Sequence, residues 1–196
     1  MHPLLRPRSR VPQGSGAMND WNILVSTYQG GYRRASRALR KLGVIENTPY
    51  HNVVAMTAAD PMGLLEAIER RTEEIPALYD AISRVAPAKA VCRFGSVDEL
   101  KRKAEEIVLQ WVPALGGRSF HVRLRRRGGR HEIHAHEIER YLDEALIDAL
   151  AQTGSPGKIS FTDPDAVIAI DTVDDCAGLA LWTREDLARH RLLRPD

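Results

Sequence analysis

Ser119-Phe120-His121-Val122-Arg123-Leu124-Arg125-Arg126-Arg127-Gly128 alternates apolar and polar side chains from Phe120 to Arg125. Period-two alternation is the signature of a β-strand with two unlike faces. Phe120, Val122 and Leu124 belong to a core, while His121, Arg123 and Arg125 are expected on the opposite, solvent-facing side. Arg126, Arg127 and Arg130 continue into a loop loosened by Gly128-Gly129. On this reading, reversing Arg123 and Arg125 to glutamate leaves the fold intact.

Outward from that strand the periodicity changes. Downstream, Ile138, Tyr141, Leu142, Ala145, Leu146 and Ala149 repeat at helical spacing from about Glu137 and stop at Gly154. Two strands follow at 158–161 and 166–172, around Asp163-Pro164-Asp165, then a strand at 179–183 and a short helix from about Glu185. Upstream, Ser96-Val97-Asp98-Glu99 spells a capping box, opening a helix that buries Leu100, Ala104, Ile107, Val108 and Trp111 and is closed by Pro113 and Gly116-Gly117.

The first half reads as a separate unit. Strands are expected at 21–27, 52–57 and 88–94, with a helix over 32–42. A second helix opens at the Asp60 cap and Pro61, ends or kinks before Pro76, and is followed by a further segment to Val85. The fold class is therefore mixed α/β (α+β), a ferredoxin-like unit over 19–95 followed by an α/β domain over 96–196. Residues 1–18, rich in Pro, Arg, Gly and Ser, are expected as a disordered tail without the apolar run of a signal peptide, and Met18 is a candidate native start.

Charge is distributed unevenly. The net formal charge is only +2, yet 118–130 holds six arginines and no acid until Glu132, whereas 136–196 carries 6 Lys/Arg against 13 Asp/Glu. Guanidinium groups stay ionised and bind phosphate bidentately, so such clustering points to an anionic partner. The bland counter-reading is a solvated strand in an arginine-biased composition, since Arg outnumbers Lys by 23 to 5. Arg118, His121, Arg123, Arg125, Arg126, Arg127 and Arg130 are the candidate RNA-binding residues here, with Lys158 beside them. A second stripe, Arg33, Arg37, Arg40 and Lys41, lies on one face of the first helix. If both stripes face one way they form a single groove; if not, the helix is an ordinary amphipathic one. Aromatics are scarce nearby, which favours phosphate and shape readout over stacking.

The Ser119–Gly128 stretch, with Glu137-Ile138-Glu139-Arg140 opening a helix, resembles a THUMP domain. The resemblance continues through Lys158-Ile159-Ser160-Phe161-Thr162-Asp163-Pro164-Asp165, then Val167-Ile168-Ala169-Ile170 and a small-residue turn at Gly178. It spans about half of the chain, and the first half resembles the ferredoxin-like unit that accompanies THUMP in tRNA-modification proteins. What it implies is tRNA binding through the acceptor stem and 3′ end, with Arg123, Arg125, Arg126 and Arg127 as the basic face. Chains that stop after THUMP are similar to the adaptor of a tRNA acetyltransferase, so the implied partner is a separate modifying enzyme and N4-acetylcytidine formation the candidate reaction. One departure is His134-Ala135-His136 before the long helix, where a Ser or Thr cap is usual.

Catalytic signatures are sparse. A deaminase His-x-Glu with a later Pro-Cys-x-x-Cys, a Walker motif and a glycine-rich nucleotide loop after a strand are not found. No cofactor and no metal are expected. Two rivals remain: a small metal-dependent hydrolytic enzyme using the His131–His136 cluster, and a protein-interaction module whose acidic C-terminal third docks a basic partner. Asp174-Asp175 reads as a solvated turn. Cys92 and Cys176, far apart, suit a reducing, cytoplasmic compartment.

Overall fold

The computed structural model describes residues 21–46 and 48–194, so the expected tail at 1–18 lies outside the described residues. The first unit runs β1 (Ile23–Thr27), α1 (Tyr32–Leu39), β2 (Val44–Glu46), β3 (Val53–Thr57), α2 (Pro61–Glu74), α3 (Pro76–Tyr79) and β4 (Ile82–Pro87). Its sheet has the order β2-β3-β1-β4 with antiparallel neighbours, which is the ferredoxin-like arrangement. The Asp60 carboxylate accepts from the Gly63 N–H at 3.0 Å and Pro61 takes the first helical position. The carboxylate satisfies one donor that a helix start leaves free, and the proline, lacking an N–H, removes another.

One expectation fails here. Leu78, Ile82 and Val85 fall at i, i+4 and i+7, a helical spacing, yet the helix stops at Tyr79 and 82–87 is strand. The strand expected at 88–94 is β5 (Ala90–Arg93), and Ala88-Lys89 separates it from β4. Because β5 pairs with β9, membership passes from the first sheet to the second between Pro87 and Ala90. The three-residue β2 has no counterpart among the expected strands.

The second unit adds α4 (Val97–Val108), a 3₁₀ turn (Leu109–Trp111), α5 (Val112–Leu115), β6 (Ser119–Arg127), α6 (Ala135–Gln152), β7 (Lys158–Ile159), β8 (Ala166–Val173), β9 (Cys176–Thr183) and α7 (Arg184–Arg189). Its sheet order is β5-β9-β8-β6-β7, with β6 parallel to both neighbours. Ser96 caps α4 at 3.1 Å, but Glu99 reaches the Gly95 N–H rather than that of the cap. Pro113 does not end the helical run; it sits inside α5. Phe120, Val122 and Leu124 meet Leu100, Ala104, Ile138, Leu142 and Leu146 in one core, as the alternation requires. Tyr141 is at the surface instead.

The other face of this sheet is covered too. Val173 and Cys176 pack with Trp21, Leu24, Val53, Ala55 and Ala86 of the first unit. Ala169, Ala180 and Trp182 join that unit's core together with Leu192 and Leu193 from the C-terminal segment. The Val85 N–H donates to the Leu192 carbonyl at 2.9 Å, sewing the segment to the edge of β4. Gly178 is mid-strand rather than in a turn: a Cβ there would stand 2.7 Å from the Trp21 indole. The two units thus share a continuous seam. Fully burying a Leu or Val contributes roughly 1.5–3 kcal/mol, so separating them is costly. Among the described residues no helix is long and apolar enough to cross a membrane.

Candidate nucleic-acid interface

β6 is held at both ends. At its start Asp165 accepts from the Ser119 N–H at 2.9 Å and the Ser119 hydroxyl at 2.8 Å. These two bonds, helped by Arg184, hold the Asp165 carboxyl down at about pKa 2. Asp165 thereby locks the parallel register of β6 and β8, and Arg184 also grips Asp163 at 2.7 Å. The Asp163-Pro164-Asp165 stretch is thus a brace for the arginine strand. At its far end Gly128 and Gly129 adopt φ of +59° and +88°, which favours glycine, and the Tyr50 ring fills the place a Gly128 Cβ would need.

Residues paired across β6 and β8 share a face, and that face is the seam. Arg125 stands opposite Asp171 and Arg127 opposite Val173. Arg84 of β4 clasps Asp171 with two bonds of 2.7 Å, both side chains buried. Arg127 donates to the Ser26 hydroxyl of β1 at 2.9 Å. Burial, then the positive charge of Arg84, Arg123 and Arg127, presses the Arg125 pKa down, while Asp171 acts the other way. Several guanidinium groups therefore crowd around one carboxylate where the two units meet.

This corrects the expected solvent-facing strand. His121 is buried, its Nδ1–H donating to the Ser160 carbonyl at 2.8 Å and its ring 5.3 Å from that of Phe161. Arg125 and Arg127 are half-buried. Arg123 keeps 41% of its side-chain exposure, with Glu139 at 3.9 Å. Arg126 is exposed and bonds the Gly128 carbonyl; Arg130 is exposed and pairs with Asp175 at 2.7 Å. The reason is topological: alternation reports two unlike faces of a strand but not what covers each of them.

The remaining candidates fall into separate places. Arg118 and Lys158 are exposed at the start of β6 and on β7, where the Lys158 N–H donates to the Arg118 carbonyl. A nine-residue strand puts them roughly 25 Å from the Arg126–Arg130 loop. Arg33 and Arg37 are exposed on α1, and Arg40 and Lys41 are exposed just past its end, the helix stopping at Leu39 rather than at 42. That helix packs with Ile23 and Val25, whereas Arg127 bonds Ser26 on the other face of β1. The two basic stripes therefore lie on opposite faces of the first sheet and do not make one groove.

The histidines diverge. His131 points to Asp175 at 3.4 Å, His134 to Glu132 at 3.8 Å and His136 to Glu139 at 3.0 Å. Among the described residues no three His, Cys, Asp or Glu side chains are grouped to hold a metal ion. Asp174-Asp175 is the turn between β8 and β9, half-buried rather than fully solvated: Asp174 accepts from the Tyr50 hydroxyl at 2.5 Å, and Asp175 from Arg130.

Sequence reasoning missed four charged residues that shape the site. Arg84 and Asp171 each interrupt an apolar strand, and that shared oddity was the available signal. Glu139 and Asp143 of α6 are buried, and their carboxylates accept from the Leu124 N–H at 2.7 Å and the Val122 N–H at 3.0 Å. They satisfy the edge of β6 beyond β7. Burial pushes the Asp143 carboxyl up to about 7, against the Val122 N–H and His121, with Glu139 adding to the rise. At i and i+4 on an ordinary-looking polar flank, nothing in sequence marked them.

The geometry defines an α/β protein whose arginine strand, braced by aspartates, is seamed to a ferredoxin-like unit. Residues 94–181 match the family model of the THUMP domain, and the chain carries a THUMP domain there. It is 28% identical over 136 residues to a tRNA sulfurtransferase of Klebsiella pneumoniae, covering 63% of this chain and 27% of that protein. A tRNA sulfurtransferase of Citrobacter koseri is 25% identical over 158 residues, 74% of this chain and 32% of its own. The chain spans about a third or less of these relatives. A Pyrococcus horikoshii protein shares the fold at a TM-score of 0.55 and 13% identity, over 82% of this chain and 54% of its own. A 4-thiouridine synthetase, solved in complex with RNA and ATP, does so at 0.51 and 10%, over 83% and 41%.

Proposed function

We propose that this chain binds tRNA and serves tRNA modification as a binding module, presenting the acceptor stem and 3′ end to a separate modifying enzyme. The observation that carries this reading is the crowd of guanidinium groups at the seam, Arg84, Arg125 and Arg127 around Asp171, running out to exposed Arg126 and Arg130. Guanidinium groups clustered by a folded scaffold bind phosphate through charge-assisted hydrogen bonds. The THUMP domain and the tRNA sulfurtransferase relatives support tRNA as the polyanion. The relatives are tRNA sulfurtransferases and nothing in the fold favours an acetyltransferase partner, so the reaction served is left at tRNA modification. Catalysis is assigned to the separate modifying enzyme, because the histidines of 131–136 turn to different carboxylates.

The test is binding of a fluorescent tRNA acceptor hairpin across a salt series. With four to six arginine–phosphate contacts, log K against log salt falls with a slope of roughly −3 to −5. A flat response, or no binding at low salt, defeats the reading.

A further inference from the structure

The flank of α6 beside β6 carries two i, i+4 rows, the outer His136–Arg140–Glu144–Asp148 and the inner Glu139–Asp143–Ile147. Together with Ile159 and Phe161 these rows line a cavity of about 630 Å³. Its walls are apolar at Ile147, Ile159 and Phe161, the last 73% exposed. Its charged groups are four carboxyls against Arg140, which leans on Glu144 at 3.7 Å, and His136, which leans on Glu139. An apolar trough with an acidic wall repels phosphate and suits a long side chain with an aliphatic stem and a cationic head.

We propose that this cleft docks a basic, extended segment of a partner protein, which inserts an arginine or lysine side chain between α6 and Phe161. Strand addition along β6 is the alternative mode, and it is blocked, because Glu139 and Asp143 already occupy the Leu124 and Val122 N–H groups. Recognition therefore runs through side chains. The cationic head meets the outer carboxylates Glu144 and Asp148, both exposed, and its stem lies on Ile147 and Ile159. From His136 to Asp148 the helix spans about 18 Å, which five or six extended residues match. The site lies on the α6 side of β6, opposite in charge to the seam, so protein and RNA would not compete for one surface. It does not depend on RNA binding.

The experiment titrates the ¹⁵N-labelled full chain with acetyl-Val-Arg-Val-Arg-Val-amide, with the glutamine-for-arginine peptide as control. The expected result is shifts at residues 136–148 and 159–161, with a Kd below about 1 mM. The glutamine peptide and the E144K/D148K double variant should each bind at least about tenfold more weakly, the variant keeping its other resonances in place. No shift at these residues, equal binding of the glutamine peptide, or undiminished binding to the variant overturns the proposal. So does a tRNA hairpin that displaces the peptide and binds the double variant more tightly, since the cleft would then take RNA. Hairpin binding unchanged in the double variant, beside lost peptide binding, supports it and leaves the RNA reading to its own salt test.

Discussion

Two arginine-rich stretches with similar sequence credentials end in opposite circumstances. On α1 and just past its end, Arg33, Arg37 and Arg40 stand in solvent on the outer face of the first sheet, with Ala35 and Leu39 buried beneath. On β6, Arg125 and Arg127 are caught between two sheets and partly desolvated. A helix exposes its polar face because one stripe suffices to anchor it. A strand inside a sandwich has no spare face. Charge on a helix surface therefore tunes what the protein meets, whereas the same charge in a seam also decides how the two units hold together.

The sharpest way to break the seam is to remove the carboxylate that Arg84 clasps. Asp171→Ala leaves Arg84 buried without a partner beside Arg125 and Arg127. Losing one member of a buried pair costs about 3–5 kcal/mol, read as a lower urea midpoint. Replacing both, Arg84→Met with Asp171→Leu, should recover part of that loss, since Arg84 is no longer stranded while Arg125 and Arg127 still lose the attraction of Asp171. If Asp171→Ala proves neutral, Asp171 does not hold the guanidinium groups of the seam.

Next in size is RNA affinity. Arg126→Glu with Arg130→Glu changes exposed groups at the end of β6 and spares the seam. If each makes a phosphate contact, hydrogen bonds to charged groups of about 1.5–3 kcal/mol are lost per site, a weakening of at least tenfold per site. The salt slope should become shallower at the same time. Arg125→Glu is a different experiment: it places a carboxylate beside Asp171 and is expected to destabilise the fold, contrary to the sequence expectation. Urea melts beside hairpin titrations separate the two effects.

How far the sequence could be read follows the same line. Period two placed β6 and its core side correctly, and the caps at Asp60 and Ser96 located α2 and α4. What escaped was non-local. Leu78, Ile82 and Val85 fit a helix until β4 is seen paired to β1. The cover over His121 and Arg125 comes from residues distant in sequence, Ser160 and Phe161 for the one and Arg84 for the other. The buried acids of α6 became legible only once β7 was seen to stop at Ile159 and leave β6 with open N–H groups.

Those acids supply a smaller, pH-dependent effect. Asp143 titrates at about 7 in the folded chain against an ordinary value near 3.8. A carboxyl whose pKa is raised by folding gives its full benefit below the unfolded value. That benefit is lost as pH climbs from about 4 to 7 and does not change beyond. Asp143→Asn still offers Val122 an amide oxygen but cannot ionise, so its stability curve should be flatter over this window. At pH 8 the variant should be the more stable by roughly 1–2 kcal/mol, because the wild-type chain must then either bury a charge or hold a proton against the solvent. Parallel curves for the two proteins would show that Asp143 is not the group responsible.

The smallest effect belongs to α1 and closes the comparison. Arg33→Glu with Arg37→Glu alters side chains that stand on the solvent side of a buried stripe formed by Ala35 and Leu39. Surface changes of this kind stay within about 0.5 kcal/mol of stability. In hairpin binding the double variant should lose less than the Arg126/Arg130 pair at equal charge change. The reason is that α1 lies across the first sheet from the seam, and only long-range attraction, screened within about 8–10 Å at physiological salt, links them. The residual difference should vanish as salt is raised. Were the α1 variant to lose as much as the β6 pair, the RNA would have to wrap the first sheet and touch both stripes, and the opposed faces would serve one long ligand rather than two separate tasks.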